Sequence, residues 1–256
     1  MKKHFFQVDP QWASLFSANG LDHFDALWNA HIDLVDEPNR ARGGWSEVGV
    51  LSLVVEGREE RFYLKRQENF NCRTPRHPFR GIPVALREWQ TIQWLGSRGI
   101  ATLDVVCSAR QCGASDRAIL VTRALEGFLP LDTWLSQHPS GESHQKGLLA
   151  LGRLIGRLHS AGMKHGCLYP KHVYFPEDET LGLRLIDLEK CKRIRSRDAG
   201  LRDLDTLLRH TPELDADDQQ RVFAGYIETS PHSWTAMALS RAVEERVRAK
   251  SGATGG

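Results

Sequence analysis

The amino-acid sequence predicts an α+β fold in which a strand-rich first half is followed by a helical second half. Residues 48–65 contain two apolar runs rich in β-branched and aromatic side chains on either side of a glycine turn, which is typical of a hairpin. Beyond Leu125, stretches with helical spacing of apolar residues dominate. We therefore expect a strand-rich unit over residues 1–124, a helical unit over residues 125–245 and a flexible tail over residues 246–256.

The first half is predicted to contain a hairpin, one helix and two further strands. Residues 48–55 and 61–65 are the two strands of the hairpin. Apolar residues three positions apart predict a helix over residues 85–95. Gly96 and Gly99 are expected to end this helix. Residues 102–109 and 117–122 have the composition of strands.

The second half is predicted to be mainly helical, with one short pair of strands. Helix-forming composition and apolar spacing place its helices at residues 131–137, 146–160, 202–208 and 218–228, and the strand pair at residues 173–175 and 183–186.

Charge and hydropathy exclude two broad classes of protein. The 256 residues include 34 basic and 32 acidic side chains, so the net charge of +2 excludes a histone-like polycation. The apolar stretch at residues 148–158 contains Arg153 and Arg157 and is shorter than the roughly 18–20 residues of a membrane span. The first residues lack the apolar region of a signal peptide, so we expect a cytoplasmic protein.

The cysteines favour reduced thiols over disulfide bonds or a structural metal site. Five cysteines are an odd number spread over a long chain, unlike a secreted disulfide framework. Cys107 and Cys112 are the only close pair, and no second pair of Cys or His follows at the spacing of a zinc site. A structural metal site is therefore not expected.

Two features of the first half are candidates for binding phosphate groups. Gly43 and Gly44 precede the hairpin in a turn whose backbone N–H groups can approach phosphates, although such glycines are also ordinary turn residues. Lys65 ends a predicted strand, and Glu88 lies on the predicted helix that follows. A strand lysine held by a helical glutamate can contact the phosphates of a nucleotide. The alternative is a solvated lysine with an unrelated surface glutamate.

Two features of the second half are candidates for binding a metal. Residues 165–172 (HGCLYPKH) follow a predicted helix, and Asp187 follows a short apolar strand. A carboxylate at a strand end near a loop with another ligand is how Mg²⁺ is held on nucleotide phosphates. An Asp at a strand end is also typical of a turn or a helix cap.

Taken together, these segments resemble the bacterial lipopolysaccharide core kinase family, which includes the Kdo kinase, WaaP and an InaA-like branch. The resemblance extends from about Gly43 to Leu208. It implies a two-lobed protein-kinase-like fold, with a small strand-rich lobe and a helical lobe, that uses ATP and Mg²⁺.

The resemblance also implies a role for each candidate residue. Lys65 matches the lysine that reaches the phosphates, and Glu88 matches its helical partner. Asp187 and His172 match the metal-binding positions. Asp203 resembles the buried aspartate that steadies the catalytic loop.

One position of the catalytic loop departs from the usual kinase pattern. Cys167 stands where an Asp accepts the proton of the attacking hydroxyl. A thiol has an ordinary pKa of about 8.5, so it is mostly protonated at neutral pH and lacks the fixed charge of a carboxylate. Glu189 and His172 are the candidate substitute bases. His165 is grouped with Cys167 and Glu189 as a candidate residue of the catalytic site, where it is expected to hold the loop through a backbone hydrogen bond.

Two functions of different classes follow from this departure. The first is an ATP-dependent phosphotransferase that acts on a sugar hydroxyl of the lipopolysaccharide core. The second is an InaA-like pseudokinase that binds a nucleotide or a partner and regulates without catalysis. General-base catalysis typically contributes about 10²–10⁴-fold, so a slow kinase without its Asp is compatible with the sequence.

A basic stretch suggests an anionic partner. Residues 61–87 contain seven basic residues against one acidic residue. Prolines and a glycine are expected to keep most of this stretch out of regular structure. Such a loop is suited to contact an anionic glycolipid or a lipopolysaccharide core sugar through Arg73, Arg76 and Arg80, with peripheral contact with the inner membrane. The alternative is a solvated linker. No recognisable nucleic-acid module surrounds these arginines, so no nucleic-acid partner is expected.

Overall fold

The computed structural model describes residues 4–55, 57–178, 180, 182–194 and 196–251. The chain divides into two compact units, one formed by Met1–Gln93 and Leu103–Leu125 and the other by Trp94–Thr102 and Glu126–Gly256. Strands dominate the first unit and helices the second, as the α+β prediction requires. No helix among the described residues is both long enough and apolar enough to cross a membrane.

The first unit is built around one antiparallel sheet. The elements of this part of the chain are β1 (His4–Val8), α1 (Pro10–Ala18), α2 (Phe24–Asn29), β2 (Asp33–Leu34), β3 (Asn39–Ala41), β4 (Gly44–Val55), β5 (Arg58–Glu68), β6 (Asn71–Thr74), β7 (His77–Pro83), α3 (Val84–Gly96), β8 (Val105–Cys112) and β9 (Asp116–Arg123). The strand order of the sheet is β1-β8-β9-β5-β4-β2, and β3 joins it by pairing with β4.

Strand β5 separates the two faces of this sheet by its alternating side chains. Phe62 and Leu64 point into the larger core, where the ring of Phe62 meets the ring of Phe16 from α1 edge-on at 5.5 Å. Lys65 and Gln67 occupy the alternate positions of the strand, so their side chains point to the opposite face, which α3 covers. The alternation therefore directs Lys65 towards the helix that carries Glu88.

The elements predicted for the first half are confirmed. The hairpin strands, the helix and the last strand are longer than predicted, and the strand predicted over residues 102–109 is displaced to Val105–Cys112. The hairpin of β4 and β5 pairs residue by residue from Trp45 opposite Glu68 to Val55 opposite Arg58. The predicted helix is α3, and the two further strands are β8 and β9. The prediction assigned no element to residues 4–41, where β1 extends the sheet and α1 and α2 cover its larger core.

The prediction that the basic stretch lacks regular structure is wrong, because residues 71–83 form a hairpin of β6 and β7. Each strand pairs on one side only, so a proline that lacks an N–H is tolerated on the open side. Pro75 lies in the turn, where its fixed φ is favourable. Arg73, Arg76 and Arg80 are exposed on this hairpin, and Phe79 is 89% exposed beside them.

The second unit contains four longer helices and several short strands among its described residues. Its elements are β10 (Phe128–Pro130), α4 (Leu131–Gln137), α5 (Glu142–Ser160), β11 (Met163–Lys164), β12 (Val173–Pro176), β13 (Arg184–Leu185), β14 (Lys192–Arg193), α6 (Arg197–Arg209), α7 (Ala216–Thr229) and α8 (Ala236–Ser251). Strands β10, β12 and β13 form one antiparallel sheet, and β11 pairs with β14. The predicted helices and the strand pair of this half are confirmed as α4–α7 and as β12 with β13.

Helix α8 was not predicted. It continues through residues 246–251, where the sequence suggested a flexible tail. The rest of that predicted tail, residues 252–256, lies outside the described residues.

Helices α5 and α7 meet backbone to backbone along a contact that we call the glycine seam, formed by Gly152, Gly156 and Gly225. A Cβ atom at Gly152 would collide with the carbonyl oxygen of Val222, and one at Gly225 with the carbonyl oxygen of Leu149. The seam therefore requires residues without a side chain. It fixes the position of α5, the helix that leads into residues 165–172.

We predict that Gly152→Ala lowers the free energy of unfolding by about 2–3 kcal/mol, because overpacking a closed contact typically costs about 1–3 kcal/mol and this contact is with backbone. Urea denaturation measures the change. Gly113→Ala is the control, since a Cβ atom there meets nothing within 4 Å. The control variant should stay within about 0.5 kcal/mol of the wild type. Equal effects of the two substitutions would contradict the close approach of α5 and α7.

Candidate functional site

The first unit fixes one lysine by an ion pair. Lys65 Nζ donates to Glu88 Oε2 at 2.5 Å, and the two side chains are 18% and 3% exposed. A buried carboxylate beside an ammonium restricts where the ammonium can lie. The predicted pairing of Lys65 with Glu88 is therefore present, and the lysine is not a freely solvated side chain.

Gln67 attaches the start of α3 to the sheet. Its Oε1 accepts from the backbone N–H of Ala85 at 2.7 Å, and its Nε2 donates to Ser46 Oγ at 3.0 Å. The side chain is fully buried. Gln67 thereby sets the position of the helix that carries Glu88. Sequence reasoning missed it, although its place two residues after Lys65 puts both side chains on one face of β5.

Gly43 and Gly44 are explained by a tight turn and by packing. Arg42 and Gly43 both have positive φ, 58° and 80°, as in the two-residue turns that join β-hairpin strands. A Cβ atom at Gly44 would collide with the backbone of Glu68 and lie 2.5 Å from the carbonyl carbon of Asn69. The turn and the packing already explain why both residues are glycine. The predicted role of Gly43 and Gly44 in cofactor binding stays a prediction.

The second unit organises residues 165–172 around the carboxylate of Asp203. Oδ2 accepts from the backbone N–H of His165 at 2.6 Å, and Oδ1 accepts from the backbone N–H of Gly166 at 2.9 Å. Asp203 is fully buried on α6. Gly166 has a φ of 85°, and a Cβ atom there would lie 2.7 Å from the carbonyl oxygen of Lys190, so this position requires glycine.

His159 supports Asp203 from behind. The ionised carboxylate of Asp203 can only accept hydrogen bonds. Nε2 of His159 therefore carries the proton and donates to Asp203 Oδ2 at 3.1 Å. Its Nδ1 pairs with the hydroxyl of Tyr226 on α7 at 3.0 Å. Burial alone raises the pKa of Asp203, but hydrogen bonds from His159 and from Gly166 outweigh it and hold this pKa below its ordinary value. Sequence reasoning missed Tyr226, which lies far from the loop in the chain.

The two histidines of the loop are oriented by backbone carbonyl groups. His165 Nε2 donates to the carbonyl oxygen of Ile186 at 2.9 Å, and His172 Nδ1 donates to the carbonyl oxygen of Cys167 at 2.8 Å. Burial lowers the pKa of His165, so its ring is neutral at pH 7. His165 therefore lies where the sequence analysis expected it, on a backbone hydrogen bond.

Cys167 is a buried, protonated thiol. Burial, with a further contribution from the charge of Asp187, raises the pKa of Cys167 to about 12. Its Sγ lies 3.6 Å from His165 Nδ1 and 3.5 Å from Asp187 Oδ2. At neutral pH this side chain has no negative charge and cannot accept a proton from an alcohol.

Asp187, two residues after the end of β13, has an uncommon backbone conformation. Its φ and ψ are 55° and 56°, in the left-handed region that few residues other than glycine adopt. The carboxylate is 30% exposed, and Oδ2 lies 3.5 Å from His172 Nε2. Strain of this kind is typical of residues whose side chain has a functional position. Glu189 follows in a 3-10 turn, near enough for its charge to contribute to the raised pKa of Cys167.

The structure therefore brings together most of the residues that sequence reasoning singled out, in two groups. Lys65 and Glu88 form one group in the first unit. The other group lies in the second unit and contains His165, Cys167, His172 and Asp187, with Glu189 nearby.

A strand lysine paired with a helical glutamate, together with a loop braced by a buried aspartate, defines the chain as protein-kinase-like. Residues 25–226 match the model of the lipopolysaccharide kinase (Kdo/WaaP) family. The chain belongs to this family.

Two curated proteins and one solved structure are similar to this chain. The chain is 32% identical over 203 residues to protein InaA of Escherichia coli, a match that covers 76% of this chain and 92% of InaA. It is 28% identical over 131 residues to the lipopolysaccharide core heptose(I) kinase WaaP of Pseudomonas aeruginosa, covering 46% of this chain and 48% of WaaP. Among solved structures, a divergent kinase that lacks the glycine-rich loop and regulates membrane ultrastructure of the Toxoplasma parasitophorous vacuole matches with a TM-score of 0.44 and 12% identity, over 78% of this chain and 81% of that chain.

We predict that Asp203→Asn lowers the free energy of unfolding at pH 7 by about 3 kcal/mol or more. Each hydrogen bond to a charged group contributes about 1.5–3 kcal/mol, and the substitution places an amide where backbone N–H groups need an acceptor. Because the pKa of Asp203 is lower in the folded state, this stabilisation is complete above the unfolded-state pKa of about 3.9 and is lost as pH falls through the lower folded-state pKa. Urea denaturation measures the change.

The control for this prediction is Asp205→Asn, which alters another buried carboxylate of α6 that accepts from Arg209 Nε at 2.7 Å. Hydrogen exchange at the amides of His165 and Gly166 should accelerate in Asp203→Asn and stay unchanged in Asp205→Asn. Unchanged exchange in Asp203→Asn would show that this carboxylate does not hold the loop.

Proposed function

We propose that the chain is an ATP-dependent phosphotransferase of the lipopolysaccharide kinase type, which transfers the γ-phosphate to a sugar hydroxyl of the lipopolysaccharide core. The observation that supports this most is the ion pair of Lys65 with Glu88 in a chain that belongs to this kinase family. A lysine held in position in this way is suited to contact the phosphates of a nucleotide.

In this proposal the chain acts mainly by positioning and by electrostatics. Phosphoryl transfer through a loose transition state requires little covalent chemistry from the protein. Lys65 contributes a positive charge to the phosphates of the nucleotide, and Glu88 restricts the orientation of that charge. Asp203 holds the backbone of the loop that would receive the sugar hydroxyl.

The donor atoms present fit Mg²⁺ at one residue. Mg²⁺ prefers oxygen ligands and is usually held by one or two carboxylates together with substrate phosphates, and the partly exposed carboxylate of Asp187 meets that requirement. The nitrogen of His172 and the sulfur of Cys167 are less suited to this ion. When bound through Asp187, Mg²⁺ would neutralise charge on the phosphate oxygens.

A second function, a pseudokinase that binds a nucleotide without transferring phosphate, is favoured by Cys167. This thiol occupies the position of the general base, and a pKa of about 12 keeps it protonated. Loss of a general base typically costs about 10²–10⁴-fold in rate. Glu189 is the carboxylate of the neighbouring 3-10 turn and is the candidate substitute base if transfer occurs.

The two functions are distinguished by transfer of labelled γ-phosphate from ATP to purified lipopolysaccharide core oligosaccharide. We expect slow transfer by the wild type and at least about a 100-fold loss in Lys65→Ala, because the charge that contacts the phosphates is removed. Lys146→Ala, which removes a lysine paired with the exposed Glu142, should leave the rate unchanged. The double variant Lys65→Met with Glu88→Gln removes both charges, so its inactivity cannot be assigned to an unpaired buried glutamate.

Three outcomes bear on the proposal. Nucleotide binding without transfer by the wild type, together with transfer by Cys167→Asp, would establish the pseudokinase instead. A thermal-shift titration that shows no stabilisation by ATP with Mg²⁺, in the wild type and in Asp187→Ala alike, would contradict both functions. Transfer at the same rate by wild type and Lys65→Ala would contradict the role of Lys65.

We also propose that the hairpin of β6 and β7 binds an anionic glycolipid or a lipopolysaccharide core sugar. Arg73, Arg76 and Arg80 are exposed on it, and the exposed ring of Phe79 offers an apolar contact beside them. Guanidinium groups bind phosphate oxygens in a bidentate manner. The corresponding location is the cytoplasm, with peripheral contact with the inner membrane, and no nucleic acid is proposed as a partner.

We predict that replacing Arg73, Arg76 and Arg80 by Ser weakens binding to vesicles containing lipopolysaccharide by about 100-fold at low salt. Each basic residue near an anionic surface contributes about 1 kcal/mol. Replacing the exposed residues Arg58, Arg157 and Arg202 by Ser makes the same change in net charge and should have much less effect. Sedimentation with vesicles at increasing salt measures both. Equal binding by the two triple variants would contradict a role of the hairpin.

A further inference from the structure

The loop of residues 165–172 and Asp187 bring nitrogen, sulfur and oxygen donor atoms together in one place. One donor atom from each of His165, Cys167 and His172 lies within 4.8 Å of the others, and all three residues are buried. Asp187 Oδ2 lies 3.5 Å from Cys167 Sγ and 3.5 Å from His172 Nε2. Of these four residues, the phosphotransfer proposal uses only Asp187 to bind Mg²⁺. No metal ion has been assigned to the donor atoms of the other three residues.

Both imidazole rings are oriented as in histidines that bind a metal. A carbonyl oxygen only accepts, so Nε2 of His165 carries the proton that bonds to Ile186, and Nδ1 of His172 carries the proton that bonds to Cys167. The nitrogen left to bind a metal is then Nδ1 in His165 and Nε2 in His172. Metal-binding histidines almost always donate their other N–H to a carbonyl or a carboxylate in this way.

The separations between donor atoms suit a tetrahedral ion. Zinc bonds of about 2.0–2.3 Å place neighbouring ligand atoms roughly 3.3–3.8 Å apart. His165 Nδ1 lies 3.6 Å from Cys167 Sγ, and the two contacts of Asp187 Oδ2 are 3.5 Å each. One donor atom of His172 lies within 4.8 Å of a donor atom of His165 and of Cys167, so the side chains must move inward to surround one centre.

We propose that His165 Nδ1, Cys167 Sγ, His172 Nε2 and Asp187 Oδ2 form a binding site for Zn²⁺. Two imidazoles, one thiolate and one carboxylate are ligands that Zn²⁺ accepts, whereas Mg²⁺ prefers an octahedron of oxygen atoms. On binding, the Cys167 thiol releases its proton to solvent and a sulfur–zinc bond forms, while both imidazoles keep their N–H protons. The thiolate and the carboxylate then balance the two positive charges of the ion.

This site gives the buried thiol a chemical role that base catalysis does not. An Asp at position 167 suits proton transfer, and a Cys at the same position suits a thiophilic ion. The proposal does not rest on nucleotide binding or phosphoryl transfer, because Zn²⁺ can be tested without a nucleotide. Both ions use the carboxylate of Asp187, so Zn²⁺ bound here excludes Mg²⁺ from that residue. The partly exposed carboxylate of Asp187 leaves one side of the site accessible to the ion.

The test uses the full chain, freed of metal with a chelator and dialysed. Titration with Zn²⁺ against a chromogenic chelator should give one equivalent per chain, with release of a proton detected by a pH indicator. Titration with Co²⁺ should give the visible bands of a tetrahedral ion and a near-ultraviolet band from a thiolate bonded to cobalt. Excess Mg²⁺ should not displace either ion.

Cys167→Ala and Cys107→Ala form a matched pair of variants. Cys107 is also a buried thiol whose pKa burial raises to about 12, but it lies in the core of the first unit. We expect Cys167→Ala to weaken Zn²⁺ binding by at least about 100-fold, since loss of an outer partner alone typically costs about 10–100-fold. Cys107→Ala should keep the affinity of the wild type. His172→Gln provides a second ligand variant, and circular dichroism reports whether each variant folds.

The proposal is overturned by any of three results. Wild-type chain that takes up no Zn²⁺ at micromolar concentration excludes the site. Cobalt spectra without the thiolate band exclude Cys167 as a ligand. Equal affinities of the wild type and of folded Cys167→Ala or folded His172→Gln place the ion elsewhere.

Discussion

The buried carboxylate of Asp203 is the interaction on which the second unit's candidate site depends. It accepts from two consecutive backbone N–H groups, those of His165 and Gly166, and from the ring of His159. A buried charge is tolerated only when donors surround it, so the carboxylate and the loop fix each other. Once the backbone at these residues is fixed, the carbonyl groups of Cys167 and Ile186 determine the orientation of the rings of His172 and His165. The positions of the donors near Asp187 therefore follow from a residue that contacts none of their reactive atoms.

Much of the fold and part of the site could be predicted because the relevant patterns are local. The apolar and aromatic composition of residues 61–65 beside a glycine turn identified a strand, and the three-residue spacing along residues 85–95 identified a helix. The structure pairs Lys65 of that strand with Glu88 of that helix. The loop at residues 165–172 was located for the same reason, since it lies between a clear helix and a short strand. What such patterns do not contain is the identity of distant partners. Tyr226 could not be connected with the loop, because only the packing of α7 on α5 brings its hydroxyl to His159.

Two predictions were limited by rules that describe averages. Prolines at residues 75–83 indicated irregular structure, but a two-stranded hairpin has open sides where a missing N–H has no cost. Pairs of cysteines were the pattern sought for a metal site, whereas the donor cluster takes one cysteine and two histidines from a single loop. Its fourth donor, Asp187, comes from beyond β13 and from a left-handed backbone conformation that no spacing rule predicts. The pKa of Cys167 likewise depends on burial, which the sequence at this position does not reveal.

The glycine seam fixes the distance between α5 and α7, because no side chain lies between the two helices at this contact. Helices separated by side chains can accommodate substitutions by repacking, whereas helices in backbone contact have no side chain that can yield. Tyr226 directly follows Gly225, so the seam also sets the reach of its hydroxyl to His159. Sequence drift in relatives that keep this loop geometry should therefore collect on the outward faces of the two helices. Substitutions along the seam should be rare, because only glycine, whose side chain is a single hydrogen atom, fits there.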